Sequence, residues 1–335
     1  MKKKFLNILK ILGFISIGVF LFWIVYRKQD INEIKNALLQ ADLKWVILSI
    51  FFGLLSHLSR AIRWKILIKP LGYSPKIKNL FFSVMVMYLT NHAIPRSGEI
   101  VRCGIVDRYE KIPFTKLLGT VIAERVVDII MLAILTLIVF FTQYSVILDF
   151  VNNNPQIIKN ISKIFNSTPL IVGIALLGIS FLAVLFVFRK KIQKTKLYKK
   201  IEETIKSFIV GFRTIILLKE NKIAFILHTI FIWAMYFIMI YTVFMCFEDT
   251  RNLSIMTGLT IFVLTAYGIV VPSPGGIGTW HFIAIETLFI YGIPKDPTGN
   301  TFAIVAHESQ MIMLVIVGLI SLILLPILNN KIQKK

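Results

Sequence analysis

The chain has 335 residues, of which 56% are hydrophobic, with a mean hydropathy of +0.77. Apolar runs long enough to cross a bilayer, roughly 20 residues each, recur along it, which excludes a soluble globular enzyme. The net charge of +21 suggests nucleic acid, but the charges are sorted by segment. With the N-terminus inside, 29 of the 38 Lys and Arg fall in residues 1–10, 60–78, 96–116, 189–222 and 330–335, against 8 in 27–44, 143–168, 248–252 and 293–300. That asymmetry is the positive-inside signature and suits anionic lipid headgroups. It places both termini in the cytoplasm and leaves no nucleic-acid partner.

The run Phe5–Tyr26 reads as a retained first helix. It exceeds the roughly 7–15 apolar residues of a signal h-region and has no small-residue cleavage site. Trp45–Ile68 returns, with Arg60, Arg63 and Lys65 at its inner end, where either arginine taken alone suits snorkelling. Leu80–Ile94 is too short to cross comfortably and leads into "NHAIPRSGEIVR", residues 91–102. Phe114–Thr142 crosses outward, a polar loop with Asn152, Asn153 and Asn154 follows, and Leu170–Phe188 returns to a basic stretch. Within the cytoplasmic segment 189–222, Ile201, Ile205, Phe208, Ile209, Phe212, Ile215 and Ile216 recur at helical steps. That amphipathic helix either lies in the inner interface or packs on the bundle. Ile223–Phe247 crosses outward, and Leu253–Val271 meets "VPSPGGIGTWH", residues 271–281. Phe282–Tyr291 is too short to span alone; after the turn Ile293–Asn300, Phe302–Leu328 brings the chain back.

The expected fold is all-α: a polytopic integral membrane protein, one transmembrane domain over 1–335, with about six full crossings and two interrupted re-entrant hairpins. One break is centred on Pro95–Gly98, the other on Pro272, Pro274, Gly275, Gly276 and Gly278. Paired Gly/Pro-interrupted segments point to an inverted-repeat transporter with its site between the breaks. Irregular backbone at membrane depth needs protein or a water-lined cavity around it, so both breaks are expected to form a central gate.

Ionisable groups mark the candidate site. Glu124, Arg125 and Asp128 lie inside the Phe114–Thr142 run, with Glu124 and Asp128 four apart on one helical face. Each costs about 2.5–3.5 kcal/mol at the centre of a spanning helix unless paired or hydrated. The reading stays open between an ion-pair network to the Arg96/Glu99/Arg102 segment and a face toward substrate. Arg96, Glu99 and Arg102, spaced three and three, share a face if the chain after Pro95 is helical, with Pro in its first turn. Arginine suits bidentate phosphate contact, and a helix N-terminus welcomes an anion. The alternative is an Arg–Glu pair at a cytoplasmic helix start. His281, Glu286, His307 and Glu308 are embedded in the last apolar segments, each with the default reading of a satisfied interior group; adjacent His307 and Glu308 should point in different directions. No catalytic template, cofactor motif or metal spacing is present. Cys103 and Cys246 fall on opposite sides and make no CxxC.

The combination "PRSGEIVR", "ERVVD" about twenty residues later, and "PSPGGIG" resembles the flippase-like membrane family that includes the transmembrane half of lysylphosphatidylglycerol synthases. The resemblance covers essentially the whole chain. It implies movement of a polar or charged lipid between leaflets, with Pro95, Arg96, Gly98, Glu99, Arg102, Glu124, Arg125, Asp128 and the Pro/Gly positions from 272 to 278 as the matching residues. Two departures stand out. No aminoacyl-transferase domain follows the last helix, so lysine transfer is not expected; and His281 stands where an acidic residue is expected after the glycine-rich turn. The resulting readings are a lipid flippase in a bacterial plasma membrane, with Arg96 and Arg102 on a phosphate-bearing headgroup; a non-transporting partner of a glycosyltransferase or lipid-modifying enzyme; and a membrane-embedded transferase. No cofactor is expected.

Overall fold

A computed structural model describes residues 31–146, 148, 206, 209–270 and 274–329. The expected first helix Phe5–Tyr26, the Asn152–Asn154 loop, the span Leu170–Phe188, Pro272 and most of segment 189–222 lie outside these residues. The described chain is helical throughout, with no strand: α1 (Ile31–Gln40), α2 (Leu43–Ile68), α3 (Ile77–Ala93), α4 (Gly98–Glu110), α5 (Phe114–Thr142), α6 (Lys222–Phe244), α7 (Ile255–Val270), α8 (Thr279–Ile290) and α9 (Asn300–Asn329). Four stretches, Leu43–Leu71, Phe114–Thr142, Lys222–Phe244 and Lys295–Asn329, are long and apolar enough to cross a membrane.

Local chemistry sets the boundaries. The Asp42 carboxylate accepts the Lys44 backbone N–H at 3.0 Å and starts α2, satisfying a donor that has no partner within the helix. Pro113 precedes α5, where its missing N–H costs nothing. The first break follows Ala93, and Gly98 opens α4; the second lies between α7 and α8, with a single 3-10 turn at Pro274–Gly276. Helix lengths then run 26, 17, 13 and 29 residues for α2 to α5 and 23, 16, 12 and 30 for α6 to α9.

Helix α2 packs along α6, α3 lies between α4 and α9, and α8 lies against α7 and α9. Small residues permit these approaches. A Cβ on Gly318 of α9 would stand 2.8 Å from Leu89 Cβ and 3.1 Å from the Met85 carbonyl of α3, the close backbone contact typical of helices packed in lipid. One core cluster joins Phe244, Ile261, Trp280, Ala284 and Phe302; another joins Trp64, Leu67, Leu80, Val84, Cys103 and Leu117. Helix α5 turns Ile129, Ile130, Leu137 and Phe141 outward, the face hydrocarbon would cover.

Three expectations need correction or completion. Residues 27–44, read as an outer loop, contain α1, which tucks Ala37 into the first core cluster. Pro95 is not in the first turn of a helix: it sits in a turn, Arg96 adopts a left-handed φ of 64°, and the helix begins only at Gly98. Arg96 is therefore off the α4 face that carries Arg102. The described part of the amphipathic segment winds tightly over Arg213–Asn221 and packs on the bundle. A Cβ on Gly211 would fall 2.2 Å from the Lys116 carbonyl, so one side packs on α5, while Ile216 is 70% exposed on the other.

Candidate functional site

Arg60 and Arg63 of α2 lie three apart, and Glu124 and Asp128 of α5 lie four apart. Each pair therefore occupies one helical face, and the two faces meet. Arg60 Nη1 donates to Glu124 Oε1 at 2.9 Å and to Asp128 Oδ2 at 3.1 Å. Arg63 Nη2 donates to Glu124 Oε1 and Asp128 Oδ1, both at 2.8 Å, and Arg63 Nη1 to Thr229 Oγ1 of α6 at 3.2 Å. From α4, Arg102 Nη2 donates to Glu124 Oε2 at 2.9 Å, with its guanidinium 4.5 Å over the Trp64 ring. Glu124 is thus the hub of three arginines, and it, Arg63 and Arg102 are fully buried. Arg60 and Arg63 do not snorkel: the carboxylates on α5 draw them inward.

The network reaches the surface at one end. Arg125 Nη2 donates to Glu99 Oε1 at 2.7 Å, and Arg125 Nη1 stands 3.6 Å from Asp128 Oδ2; the Arg125 and Glu99 side chains keep 35% and 24% of their exposure. Four guanidinium groups face three carboxylates, leaving one positive charge unbalanced within the set. Arg60 Nε, Arg63 Nε, Arg102 Nε and Arg102 Nη1 are buried with no acceptor among the described residues.

The first break is fastened beside this end. Asn91 Oδ1 accepts the Gly98 N–H at 2.7 Å, and Asn91 Nδ2 reaches Glu99 Oε2 at 3.4 Å. Gly98 is required by close approach, since a Cβ there would lie 2.2 Å from the Met87 carbonyl. Arg96 is exposed in the turn. Sequence reasoning missed Asn91, as well as the ring wall formed by His57, Tyr88 and Tyr236, in which the two tyrosine hydroxyls meet at 3.0 Å.

At the second break Gly275, Gly276 and Gly278 all take positive φ, Pro274 opens the 3-10 turn, and Pro272 lies outside the described residues. The second break meets the last turn of α3, next to the first break: a Cβ on Gly275 would approach Met311 Cε of α9 to 2.8 Å and His92 Cδ2 of α3 to 3.2 Å. His281 does not join the arginine network. It stands on α8 with His307 and Glu308 of α9, its Nε2 3.7 Å from Glu308 Oε1 and its ring 4.6 Å from that of His307. His307 and Glu308 do not point apart as expected, because the long glutamate side chain curls back to bring Oε1 within 3.0 Å of His307 Nδ1. Glu286 pairs instead with Lys295.

These features define an all-helical integral membrane protein with two broken helices meeting beside a buried, arginine-rich ion network. The chain belongs to the family described as the lysylphosphatidylglycerol synthase TM region, which matches residues 8–318. It is similar to a UPF0104 membrane protein of Methanocaldococcus jannaschii, 24% identical over 98% of this chain and 96% of that protein. It is likewise similar to UPF0104 membrane proteins of Pyrococcus horikoshii, 22% identical over 84% of this chain and 87% of that protein, and of Methanothermobacter thermautotrophicus, 22% identical over 83% and 84%.

Proposed function

We propose that this protein moves a polar or charged lipid with a phosphate-bearing headgroup between the leaflets of the plasma membrane. The observation that carries the reading is the excess of buried guanidinium donors. The Arg60–Arg63–Arg102–Arg125 set exceeds its carboxylates by one charge, retains unpartnered N–H groups, and reaches the surface at Glu99–Arg125, with exposed Arg96 three residues before Glu99 in the chain. Unpaired cationic donors in a low-dielectric setting favour an anionic oxygen guest. In this reading Arg96 and Arg125 receive the headgroup and Glu99 is the counter-charge it displaces. The buried Glu124 hub holds α2, α4 and α5 in place.

The matching helix lengths support two repeats, α2–α5 and α6–α9, each with a broken hairpin entering from opposite sides. The reading keeps the expected topology of about six full crossings with both termini cytoplasmic. Rocking of one repeat against the other about the His92–Gly275 contact then provides alternating access.

The test is leaflet-resolved transfer of a fluorescent anionic phospholipid in proteoliposomes. Wild type should exceed empty vesicles, and Arg96→Ala and Arg125→Ala should each slow transfer several-fold. Equal rates in all three proteins, or no rate above empty vesicles, would overturn the reading and leave the non-transporting partner role.

A further inference from the structure

His307 Nε2 lies 3.0 Å from the Gly275 carbonyl oxygen. A carbonyl only accepts, so this nitrogen carries the proton. The other ring nitrogen, Nδ1, lies 3.0 Å from Glu308 Oε1, and both residues are buried.

A second imidazole converges on the same spot. His281 Nε2 lies 3.7 Å from the same Glu308 oxygen, and one ligand atom from each of His281, His307 and Glu308 falls within 4.8 Å of the others. Tetrahedral coordination with bonds of about 2.0–2.1 Å separates ligand atoms by roughly 3.3 Å; the 3.0 and 3.7 Å separations bracket that value. The other Glu308 oxygen, Oε2, is buried with no partner, in a residue only 1% exposed. Locking the distal N–H of a histidine on a backbone carbonyl is the arrangement that orients a metal-binding imidazole. His92 shows the same pattern beside Gly275: its Nδ1 donates to the Tyr88 carbonyl at 2.7 Å, and its buried Nε2 has no partner.

We propose that His281, His307 and Glu308 bind a divalent transition metal of the zinc class. Two imidazoles and one carboxylate select such an ion over magnesium or calcium, which prefer oxygen ligands. The ion ties α8 to α9, and through the His307–Gly275 hydrogen bond it fixes the tip of the second break. The glycine-rich turn is thereby coupled to metal occupancy, independently of the arginine network.

The experiment uses the full chain, purified in detergent with a tag free of histidine and stripped by chelator, and titrates it with Co2+ and then Zn2+. Wild type should develop the visible absorption of four-coordinate Co2+ at about one equivalent, lost on Zn2+ addition, and Zn2+ should raise its Tm. His281→Ala and Glu308→Gln should each weaken binding at least tenfold and abolish the Tm shift. His228→Ala should leave both unchanged, because His228 bonds Ser59 elsewhere in the bundle. Absence of a saturable Co2+ signal in wild type would overturn the proposal. Binding that persists in His281→Ala and Glu308→Gln would mean adventitious surface metal and would overturn it equally.

Discussion

Glu124 and Arg125 are neighbours in sequence, but their surroundings predict opposite responses to substitution. Glu124 accepts from three arginines on two other helices and is inaccessible. Glu124→Gln keeps the shape and removes the charge, leaving Asp128 alone to balance Arg60 and Arg63 and removing the ion pair of Arg102. Breaking one partner of a buried ionic group typically costs about 3–5 kcal/mol, so this variant should show a large loss in detergent stability and low yield. Arg125 is one-third exposed and ends the network, where screening reduces a pair to about 1 kcal/mol or less. Arg125→Ala should therefore fold nearly as well as wild type, and thermal unfolding of the two variants side by side checks the contrast. A Glu124→Gln variant as stable as Arg125→Ala would contradict the hub assignment. Much of this network was legible beforehand. Charges within a spanning run announce themselves by their insertion cost, and the i,i+4 spacing of Glu124 and Asp128 fixed their common face. The complementary i,i+3 spacing of Arg60 and Arg63 carried the same signal, but their position near a helix end favoured a snorkelling reading that the three-dimensional pairing overrules.

Broken helices depend on where backbone can approach backbone. Gly98 is the first residue of α4, and a Cβ there would lie 2.2 Å from the Met87 carbonyl and 2.8 Å from Asn91 Cγ. Gly98→Ala must push α4 off α3 and strain the Asn91 hydrogen bond that closes the turn, a loss on the order of 1–3 kcal/mol by analogy with overpacking. Gly104 sits in the same helix with nothing within 4 Å of its would-be Cβ. Gly104→Ala should stabilise by about 0.5–1 kcal/mol through helix propensity alone. Opposite signs for the two substitutions in one helix, read as Tm shifts in detergent, would confirm that the hairpin is fastened at Gly98; equal shifts would rule that out. The sequence located this break from its Pro and Gly but misplaced its helix start. Proline is acceptable both inside a first turn and in the turn before it, and only the left-handed φ of Arg96 separates the two. Asn91 was invisible for a similar reason: an amide on an apolar helix has no periodic signature, and its role depends on a partner seven residues away. The His281–His307–Glu308 cluster was legible only as separate residues, because its members come from two helices whose crossing is not encoded by spacing.

Over the whole of the described molecule, α2–α5 and α6–α9 follow the same order of helix lengths without an evident repeat of residues. Lipid-facing and core-facing helix surfaces accept many apolar side chains of suitable volume, so hydrophobic identity drifts, whereas helix length is held by the bilayer and a break is held by its close contacts. In each half a carboxylate on the long closing helix faces a basic residue just after the break: Glu124 takes Arg102, and Glu308 faces His281. If the halves are inverted, as proposed, the connection after α4 and the connection after α8 must lie on opposite sides of the membrane. Arg108, near the end of α4, and Asp296, between α8 and α9, are both exposed and test this directly. Native Cys103 and Cys246 are buried, so single cysteines introduced elsewhere are labelled over a low background. A membrane-impermeant maleimide applied to intact cells should modify Asp296→Cys at once and Arg108→Cys only after permeabilisation. That outcome follows from the basic character of residues 96–116 through the positive-inside rule, and from the opposed hairpins. Labelling of both cysteines from the same side would rule out the inversion and, with it, a rocking mechanism about the His92–Gly275 contact.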